Sequence, residues 1–111
     1  MDEAISKDRR HAPRRPTLVR VKPLDGGAWM TAQDLGLGGM LVTTEQPRWP
    51  GAFVPVRFSL QRGETPIEVV CQVVDLVEVP RGIGLALRFV RFSKAGRARL
   101  GRFLQDRIWA S

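Results

Sequence analysis

Four arginines fall within the seven residues Arg9-Arg10-His11-Ala12-Pro13-Arg14-Arg15. Guanidinium groups at this density suit an anionic ligand. The planar fork donates two parallel hydrogen bonds to a phosphate or to guanine O6 and N7, and its face stacks on a purine ring. Pro13 and Pro16 fix φ and remove backbone donors, so the stretch reads as an extended arm rather than a helix. In an extended chain the Cα atoms of Arg10 and Arg14 lie at most about 13 Å apart, so two long side chains can grip one multi-phosphate or purine-bearing ligand. The competing reading is a solvated basic tail, because like-charge runs are often disordered.

A second stretch, Asp34-Leu35-Gly36-Leu37-Gly38-Gly39, supplies complementary chemistry. A carboxylate at Asp34 accepts hydrogen bonds from the N–H groups on a guanine's Watson–Crick edge, which arginine cannot do; its ordinary role would be to cap the glycine turn. The glycines at 36, 38 and 39 predict a tight turn with exposed backbone N–H groups that cradle an oxyanion.

Arg10-xxx-Arg14 followed by Asp34-x-x-x-x-Gly39 resembles the bipartite signature of PilZ domains, bacterial receptors for the second messenger cyclic di-GMP, whose pattern is RxxxR and then D/NxSxxG. Arg10, Arg14, Asp34 and Gly39 match, whereas Gly36 stands where the family has serine. Loss of one hydroxyl contact costs on the order of 1 kcal/mol, enough to weaken a ligand several-fold without abolishing it. The resemblance continues through the Gly39-Met40-Leu41-Val42 strand, Gly82-Ile83-Gly84-Leu85 and a closing basic helix. It implies a six-stranded antiparallel β-barrel and a cyclic di-GMP site made of Arg9, Arg10, Arg14, Asp34, Gly36 and Gly39. Arg9 is similar to the arginine that in this family goes with two stacked cyclic di-GMP molecules rather than one. The resemblance also implies a separate effector protein, in motility, type IV pili, exopolysaccharide or gene control.

The elements that must position these residues follow from periodicity. Thr17–Val21 alternates and is rich in β-branched residues, Asp25-Gly26-Gly27 turns the chain, and Ala28–Gln33 returns, delivering Asp34 to the strand end. Further strands are expected at Met40–Thr44, at Phe53–Leu60 with an edge or bulge at Pro55, at Pro66–Val79 with a bend, and at Ile83–Phe92. From Ser93 the period changes: Leu100, Phe103, Leu104 and Ile108 share one face of a helix over about 93–109. Short strands and a single helix favour a small antiparallel barrel over a parallel sheet, which needs helical crossovers. The expected organisation is a basic arm, residues 1–16, and a barrel domain with its helix, residues 17–111.

Composition bounds the function. The 111 residues allow one domain with a modest core, and 18 Lys and Arg against 11 Asp and Glu give a net charge of +7 that favours polyanionic partners. Seven of the cations lie between Lys7 and Lys22 and seven between Arg88 and Arg107. The lone Cys71 rules out an internal disulfide and reads as a core residue. The start of the chain lacks the apolar segment of a signal peptide, so a cytoplasmic location without membrane insertion is expected. No metal-ligand spacing, nucleophile motif or phosphate-binding loop is present, which argues against an enzyme and against a bound metal. His11 reads as an incidental contact among arginines and Trp29 as a packing residue, while Trp49, in a loop between Arg48 and Pro50, reads as packing in preference to an exposed partner anchor. Two alternatives remain beside the receptor: a protein-interaction module of the same fold that no longer binds nucleotide, suggested by Gly36, and a nucleic-acid-binding protein. The second of these is disfavoured because no aromatic stacking surface is interleaved with the arginines.

Overall fold

The computed structural model describes residues 14–93 and 95–110, and among them the side chains of 16–93 and 95–105. Six strands, β1 (Arg14–Pro23), β2 (Met30–Gly36), β3 (Gly39–Thr44), β4 (Phe53–Phe58), β5 (Ile67–Val77) and β6 (Ile83–Phe92), precede one helix, α1 (Gly96–Ala110). All pairings are antiparallel and the strands close into a barrel in the order β1-β2-β3-β6-β5-β4.

Alternation builds the interior. Val21, Met30, Ala32, Leu35, Met40, Val42, Val54, Val56, Phe58, Val69, Cys71, Val73, Leu85 and Leu87 point inward while their chain neighbours face out. Leu100 and Leu104, one helical turn apart, are fully buried against this core, so α1 covers the barrel with its apolar stripe. Burial pushes the Cys71 thiol up to about 12, which keeps it protonated and makes it a core residue, not a nucleophile.

Several boundaries differ from the periodicity reading. β1 begins at Arg14, so Arg14, Arg15 and Pro16, expected in the arm, belong to the barrel. The helix starts at Gly96 rather than Ser93, whose carbonyl instead accepts the Gly96 N–H at 3.1 Å in the preceding turn. Pro55 lies where β4 leaves β1: its carbonyl accepts the Leu24 N–H at 2.7 Å, and its missing donor faces the end of the β1 pairing. The bend expected in the long strand is a bulge at Val74, which stands between the pairs Val73–Leu87 and Asp75–Ala86.

Trp49 is 69% exposed and Trp29 48%, so neither is the packing residue expected. The reason at Trp49 is its neighbour. Arg48 grips the β1–β2 turn, donating to both carboxylate oxygens of Asp25 at 3.0 Å and to the Gly26 carbonyl at 3.1 Å, which leaves the tryptophan pointing to solvent.

Candidate functional site

The β1–β2 ladder brings Arg14, the second arginine of the signature, beside the Asp34–Gly39 half. Arg14 pairs with Gly36, Arg15 with Leu35 and Pro16 with Asp34. Because Leu35 is fully buried, Asp34 and Gly36 belong to the outer face of the sheet. The same reasoning places Gly39 and Leu41 outside on β3, on either side of buried Met40, and Ala86 and Arg88 outside on β6, flanking Leu87. The registers then align Gly39, Arg88, Gln72 and Phe53 in one row and Pro16, Asp34, Leu41 and Ala86 in the next.

Two bulges shape this corner. β2 carries an extra residue at Gln33 opposite β3, and β1 has one between Pro16 and Val19. Such insertions twist a strand and re-aim its side chains. Asp34, just past the bulge, is partly exposed, and its Oδ1 accepts the Leu41 N–H at 3.2 Å, which fixes the carboxylate at the β2–β3 corner.

The three glycines do not take the left-handed conformation that a glycine-rich turn suggests. Positive φ occurs at Gly26, Gly27, Gly51, Gly63 and Gly82, and not at Gly36, Gly38 or Gly39. Gly36 ends β2, Gly39 begins β3, and the Gly38 carbonyl accepts the Phe89 N–H at 2.9 Å. Gly39 is needed for a different reason: a Cβ there would lie 2.1 Å from the Leu87 carbonyl oxygen, so close approach of β3 and β6 excludes any side chain.

A shallow recess of about 560 Å³ lies beside Gly39, lined by Gly38, Leu41, Val74, Ala86 and Arg88. That volume is in the range of small-molecule sites. Arg88 is the residue that local reading missed. It is exposed, sits opposite Gly39, and donates to Gln72 Oε1 at 2.5 Å, while Gln72 Nε2 donates to the Gly51 carbonyl at 3.3 Å. Its signal was the β3–β6 register, which no short motif encodes. Of the expected site residues, Asp34, Gly36, Gly39 and the backbone of Arg14 thus come together at one corner, whereas Arg9, Arg10 and the side chain of Arg14 lie outside the described residues, as does His11.

Among the described residues no three His, Cys, Asp or Glu are grouped to hold a metal ion, and no helix is long and apolar enough to cross a membrane.

These residues sit at the β2–β3 corner of a closed six-stranded antiparallel barrel followed by one C-terminal helix. The sequence matches the PilZ domain family over residues 8–106, and the chain belongs to that family. Its fold is similar to that of the inhibitor of motility MotI/DgrA from Bacillus subtilis, with a TM-score of 0.80 and 16% identity over 93% of this chain and 52% of that one. The chain thus spans about half the length of that protein. It is also similar to the PilZ domain of YcgR from Escherichia coli, solved with c-di-GMP, with a TM-score of 0.66 and 20% identity over 88% of this chain and 90% of that one. At these identities the likeness is one of fold. No curated protein sequence matches the chain.

Proposed function

We propose that this protein is a cyclic di-GMP receptor that signals to a separate effector protein. The observation that supports the reading is the register: Arg14 pairs with Gly36, Asp34 with Leu41 and Gly39 with Arg88, so the Asp34–Gly39 half of the signature lies next to the backbone of Arg14 and one further cation, with a recess beside them. In this reading the arginines read phosphate and the guanine Hoogsteen edge, and Asp34 reads the Watson–Crick edge. Membership of the PilZ family supports the ligand, as does the ligand named with the YcgR domain. Arg9 and Arg10 complete the site from the segment that precedes β1, with Arg9 able to serve a second stacked molecule, and ordering of this arm on the ligand changes the surface shown to the effector. Similarity to a motility inhibitor favours motility as the regulated process.

Calorimetric titration with cyclic di-GMP at moderate salt tests this. Saturable binding is expected, with Arg14→Ala and Asp34→Ala each losing a charge-assisted contact of roughly 1.5–3 kcal/mol. Absence of binding to the folded protein would overturn the reading. It would favour instead an interaction module of the same fold, for which Gly36 in place of the family serine is the specific support.

A further inference from the structure

The other end of the β1–β2 pair carries a second cationic group. Arg20 pairs with Thr31 and Val21 with Met30, six residues along β1 from Arg14 and therefore roughly 20 Å from the signature corner. Val21 and Met30 are buried, so Arg20, Lys22 and Trp29 lie on the outer face, where Arg57 of β4 stands opposite Lys22. The Arg20 guanidinium carbon is 4.9 Å from the Trp29 ring centroid and Lys22 Nζ is 6.0 Å from it. The Trp29 ring is half-exposed and lies outside the core cluster, so its face is engaged by these cations rather than by packing. Stacking leaves the edge of a guanidinium available to donate.

Two recesses flank Trp29, and Arg20 lines both. One, of about 400 Å³, is bordered by Lys22 and Arg57; the other, of about 330 Å³, by Thr31, Thr43, Glu45 and Arg81. We infer that this face docks an extended acidic segment of a partner protein, with carboxylates two residues apart seated on Arg20 and Lys22. Alternate residues of β1 are spaced about 6.6 Å, which is also the spacing of alternate side chains in an extended peptide. Glu45 at one rim and Glu68, paired with Arg57 at 2.8 Å, interrupt the positive surface. Discrete carboxylates can meet the cations and avoid those acids, whereas a continuous phosphodiester backbone cannot. Trp29 supplies the apolar ground on which such charge pairs are shielded from water. The inference is independent of nucleotide binding at the signature corner.

The test is fluorescence anisotropy at low ionic strength with a short fluorescein-labelled peptide of alternating Asp and Thr, against the same peptide with Asn for Asp, an oligothymidylate and phosphatidylserine vesicles. Saturable binding of the Asp peptide alone is expected. Arg20→Gln and Lys22→Gln should each weaken it about five- to tenfold, with Arg62→Gln and Arg97→Gln, both exposed elsewhere, leaving it unchanged. Equal losses at all four arginine and lysine positions, equal binding of the Asn peptide, or tighter binding of the oligonucleotide or vesicles through Arg20 and Lys22 would each overturn the proposal. Cyclic di-GMP titration of Arg20→Gln separates the two sites: it should match the parent whatever the peptide does.

Discussion

Gly39→Ala offers the sharpest reading of why the signature glycine is there. The added Cβ would lie 2.1 Å from the Leu87 carbonyl oxygen and 3.2 Å from its carbon, well inside van der Waals contact. The obstacle is backbone of the paired strand, not the end of a flexible side chain, so β3 and β6 must part at the Gly39–Arg88 rung. Overpacking of this kind costs about 3 kcal/mol, the upper end of the usual range. In a domain of this size that lowers Tm by roughly 12–24 °C. The matched control is one residue away. Gly38 has nothing within 4 Å of its Cβ position and no positive φ, so Gly38→Ala should be neutral or up to about 1 kcal/mol more stable. Urea unfolding followed by circular dichroism measures both. If the two variants unfold at the same urea concentration, close approach of β3 and β6 is not what holds glycine at 39.

Three further outcomes follow from the geometry. Gly36 ends β2 without positive φ, so its backbone accepts a side chain, and Gly36→Ser should tighten cyclic di-GMP binding by up to about tenfold, or 1.4 kcal/mol, measured by calorimetry, with thermal melting checking that the variant keeps the fold around this buried position. Arg88→Ala, which removes the cation opposite Gly39, should weaken the same binding by at least about tenfold while leaving the melting curve close to that of the parent. The Cys71 thiol is raised by burial from 9.0 to about 12, so its contribution to stability is fully present below pH 9 and is lost as pH rises from 9 towards 12. Urea titrations across that range should show a steeper alkaline decline for the parent than for Cys71→Val.

Strands were the legible part of this chain because alternation is a local signal. Ile83–Phe92 is a strand with the bounds expected, and Val54, Val56 and Phe58 of β4 and Ile67, Val69, Cys71 and Val73 of β5 point inward, whereas Phe53, Val74 and Leu76 of the same strands are exposed. What was misread depended on pairing. The prolines at 13 and 16 argued for a free arm up to Pro16, yet Pro16 pairs with Asp34 beside the bulge that absorbs its irregularity, which draws Arg14 into the sheet. Glycine at 39 looked like a turn residue because composition cannot distinguish a need for positive φ from a need for close approach. That choice is made by β6, more than 40 residues away. Arg88 has no motif around it and acquires its place only through the β3–β6 register. Trp49 was placed in packing in preference to an exposed anchor, and it is the exposed alternative that holds, with Arg48 turned instead to Asp25. In the candidate site, residue types were therefore readable and their arrangement was not, except at the Asp34 corner that one hairpin joins to Arg14.

The central claim is that the β2–β3 corner and its β6 neighbour receive cyclic di-GMP. Amide chemical-shift mapping on uniformly labelled protein tests it most directly. Titration should move the amides of Asp34, Gly36, Gly39, Leu41 and Arg88 and leave those of Arg20, Thr31 and Arg57, at the other end of the sheet, in place. Shifts confined to Arg20, Thr31 and Arg57, or no shifts at saturating ligand, would contradict it.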